Sequence, residues 1–177
     1  MKNRSKNLFS QIEKLYMENN NLKEELSKER STIERIQLLL NENSYKVEQI
    51  RIGKTNRGAL SMIFIKKSSN TKYIYIYDIE NTDKYDLSII DVIMTGRGDT
   101  MHIDDIRGGK SLGHGSLAMK YILEIAKEQN YRLITGWLCD DDKNHKERLL
   151  YFYKKHGFTI TLEDKGNYFG SIIRVIE

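Results

Sequence analysis

The run Arg107-Gly108-Gly109-Lys110-Ser111-Leu112-Gly113-His114-Gly115-Ser116-Leu117 decides how this chain is read. Before it, residues 100–106 alternate like a strand. After it, Leu117, Met119, Ile122, Ile125 and Ala126 recur at helical spacing, with Asn130 as a stop. A glycine-rich turn that leaves a strand and opens a helix aims main-chain amides at an anion, and the helix dipole favours negative charge there. Lys110 adds a mobile cation. A nucleotide-hydrolase phosphate loop also ends in Gly-Lys-Ser, as Gly109-Lys110-Ser111 does, but it starts with a glycine where this chain has Asp104. Two readings stay open, a structural turn without a ligand and a cradle for a pyrophosphate.

The flanking patterns define the fold class. Upstream, residues 45–52, 60–65, 73–79 and 87–94 read as strands, punctuated by turns at 56–58, 68–70 and 96–99, so the first half is an antiparallel meander. Downstream, residues 132–138 form a buried strand. Asn144 with Glu147 three residues later resembles a capping box for a helix that runs to His156 and ends at Gly157. Residues 158–162 and 168–176 close a last hairpin. The expectation is an α/β (α+β) domain over residues 44–177, with a mixed, mostly antiparallel sheet flanked by helices.

Residues 1–43 follow another rule. Leu8, Ile12, Leu15, Asn19, Leu22, Leu26, Glu29, Ile33, Ile36 and Leu40 recur at spacings of three and four, a heptad seam that only Asn19 and Glu29 interrupt. With Ile12 at position a, Asn19 also falls at a, where a lone amide sets register and strand number. Glu18 and Glu25 then fall at g, opposite Lys23 and Arg30 at e of a parallel partner. The seam predicts a long amphipathic helix that pairs as a homodimeric coiled coil. The alternative is a helix folded back on its own domain, which Leu38 and Leu39 favour at its end.

Composition narrows the classes further. With 177 residues, 39% hydrophobic and 31% charged, the chain has enough apolar content for one globular domain plus an extension. A single cysteine, Cys139, excludes an internal disulfide and fits a reducing compartment, so the cytoplasm is expected. His114 and His145 stand at no familiar ligand spacing from Cys139, and no metal is expected. The net charge of +4 has no dense basic block, which argues against nucleic acid, and no 18 apolar residues run together to cross a membrane.

Lys110-Ser111-Leu112-Gly113-His114-Gly115 at a strand-to-helix junction, followed by Phe152-Tyr153-Lys154-Lys155-His156-Gly157-Phe158 one strand later, resembles the GNAT superfamily of acetyltransferases. That family carries Gln/Arg-x-x-Gly-x-Gly/Ala at the first place and Leu-Tyr-x-x-x-Gly-Phe at the second. Lysine for Gln/Arg and Phe152 for leucine are departures, and the resemblance stops short of residues 1–43. It implies an acetyl-CoA co-substrate held by Ile103, Asp105, Lys110, Ser111, Leu112, Gly113, His114, Gly115 and Ser116, with Asn144 and Tyr153 contributing. The thioester would lie between splayed strands at 100–106 and 132–138.

The same resemblance implies direct attack by a small-molecule or protein amine, without an acyl-enzyme. Tyr153 matches the usual general acid, and a phenol with a reference pKa of about 10 rests protonated at neutral pH. Asp104 and Asp105 are candidate bases. If strand alternation holds they project to opposite faces, with His102 sharing the face of Asp104. Asp140, Asp141 and Asp142 stand at the mouth of the expected cleft. The family's two helices between its first and second strands are missing here, since only residues 55–58 are available. A second reading is a coiled-coil adaptor whose domain binds CoA or a protein partner without catalysis.

Overall fold

The computed structural model describes residues 2–80, 89–108 and 112–177, so Lys110, Ser111 and the start of the expected strand at 87–94 lie outside the described residues. The chain divides into two compact units, one ending at Glu42 and the other comprising Asn43–Glu177. The first is a single helix, α1 (Lys2–Asn43), of 42 residues. Its heptad positions Ile12, Leu15, Leu22, Leu26 and Ile33 are all exposed, Leu22 by 63% and Leu26 by 67%. Pairs such as Lys14 with Glu18 and Arg30 with Glu34, spaced i to i+4, lie on its surface.

The second unit contains β1 (Val47–Lys54), β2 (Leu60–Ser68), β3 (Thr71–Asp78), β4 (Ile90–Arg97), β5 (Thr100–Gly108), α2 (His114–Glu128), β6 (Leu133–Cys139), a 3-10 turn (Asp140–His145), α3 (Lys146–Lys155), β7 (Thr159–Lys165) and β8 (Tyr168–Val175). The strands form one eight-stranded sheet in the order β1-β2-β3-β4-β5-β6-β8-β7. Among the described residues only β5 and β6 run parallel; every other neighbouring pair is antiparallel. Short turns suffice for antiparallel neighbours, whereas a parallel pair needs a crossover, and α2 supplies it.

Both helices of this unit pack on one face of the sheet. Ile63, Ile74, Val92, Met101 and Ile134 point to that side and share one core with Ala118, Ile122 and Ile125 of α2 and with Tyr153 of α3. The five residues expected on the apolar face of α2 are all buried. Asn130 turns left-handed at φ 57° just beyond it, as its role as a stop requires.

Between β1 and β2 the chain makes a tight turn in which the Thr55 hydroxyl accepts from the amides of Arg57 and Ala59. α3 starts two residues after Asn144. Its N-cap is His145 and no side chain caps it, because Asn144 is taken up in the preceding 3-10 turn. No helix among the described residues is long and apolar enough to cross a membrane.

Candidate active site

The parallel pairing of β5 with β6 is short. It runs from Thr100 opposite Leu133 to Ile103 opposite Gly136 and stops there. Beyond it β5 continues along β4 to Gly108, while β6 continues along β8 to Cys139. The two strands therefore splay, and among the described residues their inner edges past Ile103 and Gly136 have no strand partner.

The cause is local. On β4, Ile93 faces Asp105 and Met94 faces Ile103, so Asp104 is an extra residue, a bulge. A bulge bends its strand and sharpens the twist, and this one falls at the point where the parallel pairing ends. Gly136 holds the apex, since a Cβ there would lie 3.0 Å from Ile172 Cδ1 and 3.2 Å from the Ile103 carbonyl oxygen.

The bulge also overturns the expected alternation. Ile103 and Ile106 both pack toward the helices. Asp105 lies opposite Ile93 on the other face, and Asp104 occupies the bulge beside it, so the two carboxylates share a side instead of dividing between faces. Asp104 accepts from Thr95 Oγ1 at 2.7 Å, and Asp105 pairs with Arg107 Nε at 2.5 Å. His102 is on this side too, with Nδ1 2.9 Å from Thr135 Oγ1.

Tyr153, on α3, is 6% exposed. Its ring packs edge-on against Phe152 at 5.3 Å and Phe158 at 5.4 Å, which explains why aromatic residues flank it in the sequence. Burial pushes its phenol well above the ordinary range, reinforced by the carboxylates of Asp142 and Asp105 and by Cys139. Burial likewise pushes up the Cys139 thiol, together with Asp142, Asp141, Asp105 and Asp140. Three segments thus converge at the mouth of the splay: the bulged part of β5, the end of β6 with its acidic turn, and Tyr153. Asn144 is exposed in that turn.

At the other end of the cleft, Gly113 caps α2 at φ 90°, a left-handed conformation in which a Cβ would also collide with Asn56. The Leu117 amide bonds to the Gly113 carbonyl at 3.1 Å, so the amides of His114, Gly115 and Ser116 in the first turn precede the first intrahelical bond. Leu112 is exposed beside them. The His114 side chain turns inward. It is 0% exposed and its Nε2 is 3.7 Å from Asp78 Oδ2, which leaves only its main chain to the loop. Ser116 Oγ lies 3.1 Å from His156 Nε2 and ties α2 to α3. No group of His, Cys, Asp and Glu among the described residues is arranged to hold a metal.

Trp137 and Tyr168 belong to no motif, yet both border the splay. Their rings lie 5.4 Å apart on the face that carries Asp105, and Trp137 is 6.2 Å from the His102 ring. Strand alternation within residues 132–138 was the available signal, because it sets Trp137 opposite to Ile134 and Leu138.

No protein-family model matches the chain. The uncharacterized protein YocC of Bacillus subtilis (strain 168) is 38% identical over 72 residues, which cover 41% of this chain and 44% of that protein, so the match spans under half the length of the curated relative. Nourseothricin acetyltransferase aligns at 15% identity and a TM-score of 0.49, over 72% of this chain and 84% of its own. The GNAT domain of S. lividans PAT aligns at a TM-score of 0.55 and 8% identity, over 71% of this chain and 96% of that domain. This last likeness shows the architecture: the chain has the GNAT fold, with a long N-terminal helix ahead of it.

Proposed function

We propose that Asn43–Glu177 is an acetyl-CoA-dependent N-acetyltransferase. The observation that carries this reading is the bulge-driven splay of the one parallel strand pair, with the first turn of α2 at one end and Tyr153 at the other. The described residues fit the co-substrate: Gly113 keeps Cβ atoms out of the loop, and the amides of His114, Gly115 and Ser116 suit a pyrophosphate, with Leu112 exposed beside them; Lys110 and Ser111 join them as candidates by sequence alone. When bound, acetyl-CoA supplies an activated acetyl thioester.

The chain's own contribution is positional and electrostatic. The unpaired inner edge of β5 past Ile103 offers main-chain groups to an extended ligand, as a sheet edge does to an added strand. An amide near Asp105 would meet the developing oxyanion. In the overall reaction a nitrogen–carbon bond forms, the carbon–sulfur bond breaks, and the proton shed by nitrogen ends on the thiol. Tyr153 holds its proton at neutral pH, since burial and the carboxylates raise its pKa. It donates as charge develops on sulfur. Asp104 or Asp105, directly or through water, takes the ammonium proton before attack. Asn144, exposed in the turn before α3, would add a contact to the cofactor.

Calorimetric titration of acetyl-CoA tests the reading. Gly115→Glu is the better control than a change at Gly113, because a Cβ at Gly115 meets only Phe152, at an ordinary 3.4 Å. Saturable one-to-one binding that Gly115→Glu abolishes is expected. Absence of binding by folded wild-type protein would sink the proposal and leave the adaptor reading.

The exposed seam of α1 supports a second element of the proposal, a homodimer through a parallel coiled coil. A helix with Leu15, Leu22, Leu26 and Ile33 in water gains by covering them, at about 25 cal/mol per Å² of apolar surface removed from solvent.

A further inference from the structure

The helices of Asn43–Glu177 use only one face of its sheet, and the other face is built unlike a solvated surface. Cross-strand register sets Tyr73, Ile93 and Asp105 in one row of it and Thr95, His102 and Thr135 in the next. Trp137 follows on β6, 51% exposed, with Tyr168 against it. The exposed aromatic pair offers its ring faces to a ligand.

Charge decides what it binds. Aromatic faces and carboxylates both attract cations. β5, with Asp104 and Asp105, lies in the sheet between β6 with Trp137 and β3 with the stacked rings of Tyr73 and Tyr75, and Asp140, Asp141 and Asp142 stand at the adjoining mouth. Part of the face is already satisfied. Lys66 sits 5.1 Å over Tyr75, and Arg107 pairs with Asp105 through a largely exposed side chain that a ligand cation can displace. Among the described residues no lysine or arginine sits over Trp137 or Tyr168.

Resting on the acetyl-transfer reading, we propose that this face receives the acceptor, and that the acceptor is an alkyl polyamine. One nitrogen, uncharged, reaches the splay and takes the acetyl group. A second, as ammonium, rests against Trp137 and Tyr168 and near Asp104. A monoamine or a peptide N-terminus offers only one nitrogen to a surface with two places for it.

Trp137 is the single tryptophan of the chain, so its fluorescence reports on this face directly. The full chain is titrated without acetyl donor, at fixed ionic strength, with the triamine spermidine and with butylamine. A saturable change is expected for the triamine, with butylamine at least about tenfold weaker and Asp104→Asn about tenfold weaker for the triamine. With acetyl-CoA present, thiol release should favour the triamine in kcat/KM by a similar factor.

No saturable change, or equal affinity for both amines, would overturn the proposal. So would a change on dilution of the protein alone that the triamine does not alter, which would assign the face to a second copy. Triamine binding without thiol release, while acetyl-CoA binds, would leave a cation site and refute the acceptor role. Because the fluorescence titration uses no donor, its failure is distinct from a failure of the acetyl-transfer reading, which the calorimetry detects.

Discussion

Acidification from pH 7.5 to 5.5 should weaken the fold through its histidines. His114 is fully buried, and neither ring nitrogen has a hydrogen-bond partner among the described residues. Burial holds its pKa below the usual 6.5, with the Asp78 carboxylate only partly opposing; burial lowers His102 and His156 as well. The unfolded chain takes up these protons near pH 6.5, while the folded chain refuses them until lower pH. Stability is therefore complete above 6.5 and is lost as the pH falls through it. A histidine kept neutral by the fold costs about 1.4 kcal/mol at pH 5.5, from RT ln(1 + 10) for a one-unit gap. That figure is the limit for a ring that stays fully neutral, and Asp78 at 3.7 Å brings the share of His114 below it. Urea unfolding between pH 7.5 and 5.5, above the ordinary carboxylate range, measures the slope. His114→Gln should flatten the fall measurably, whatever its effect on stability at pH 7.5. A flat wild-type profile, or an unchanged slope in His114→Gln, refutes a buried neutral His114.

Tyr153→Phe keeps the ring that packs on Phe152 and Phe158 and removes only the donor, so kcat should fall by about 100-fold with the KM for acetyl-CoA nearly unchanged, read by thiol release. Gly136→Val forces branched atoms against Ile172 and the Ile103 carbonyl, and thermal unfolding should show a loss of about 1–3 kcal/mol. Leu22→Asp puts a charge in the α1 seam and should convert dimer to monomer in sedimentation while leaving the calorimetric titration intact; a wild-type monomer removes the coil.

The layout of the candidate site was legible where it is held in spacing. The interval from Gly113-His114-Gly115 to Tyr153-Lys154-Lys155-His156-Gly157-Phe158 spans one helix and one strand, and α2 and β6 occupy it as expected. Tyr153 and Asp105, 48 positions apart, come close enough for the carboxylate to act on the phenol. What alternation could not reveal was the bulge. One extra residue in β5 moves every later side chain to the opposite face from a simple count, and nothing in Asp104-Asp105 announces it, since register is decided by β4. The Asn144 cap failed for a related reason. Asp140, Asp141 and Asp142 make their own 3-10 turn, which consumes the residue before α3 begins. His114 is the opposite case: a histidine beside glycines reads as a loop ligand, and its burial against Asp78 becomes visible only when β3 is placed under α2.

The position of the site follows from a constraint on connections. In a sheet that is otherwise antiparallel, β5 and β6 are the one pair that cannot be closed by a turn, and the helix that joins them must leave the C-terminal end of β5. Its amide-rich start therefore lands beside the ends of both strands, where a crevice outside parallel strand ends receives ligands in open α/β sheets. A parallel pair alone would close that crevice with a ladder of hydrogen bonds. The bulge at Asp104 prevents it, and Gly136 lets the strands meet closely at the last pair before they part. Because β6 then passes directly through the acidic turn into α3, Tyr153 returns to the same opening. Removing Asp104 altogether should restore alternation and lengthen the parallel ladder past Ile103. Hydrogen exchange would then show slower amides at residues 105–108 and 137–139, together with loss of acetyl-CoA binding in the calorimeter. If exchange slows and binding survives, the splay is not what admits the co-substrate.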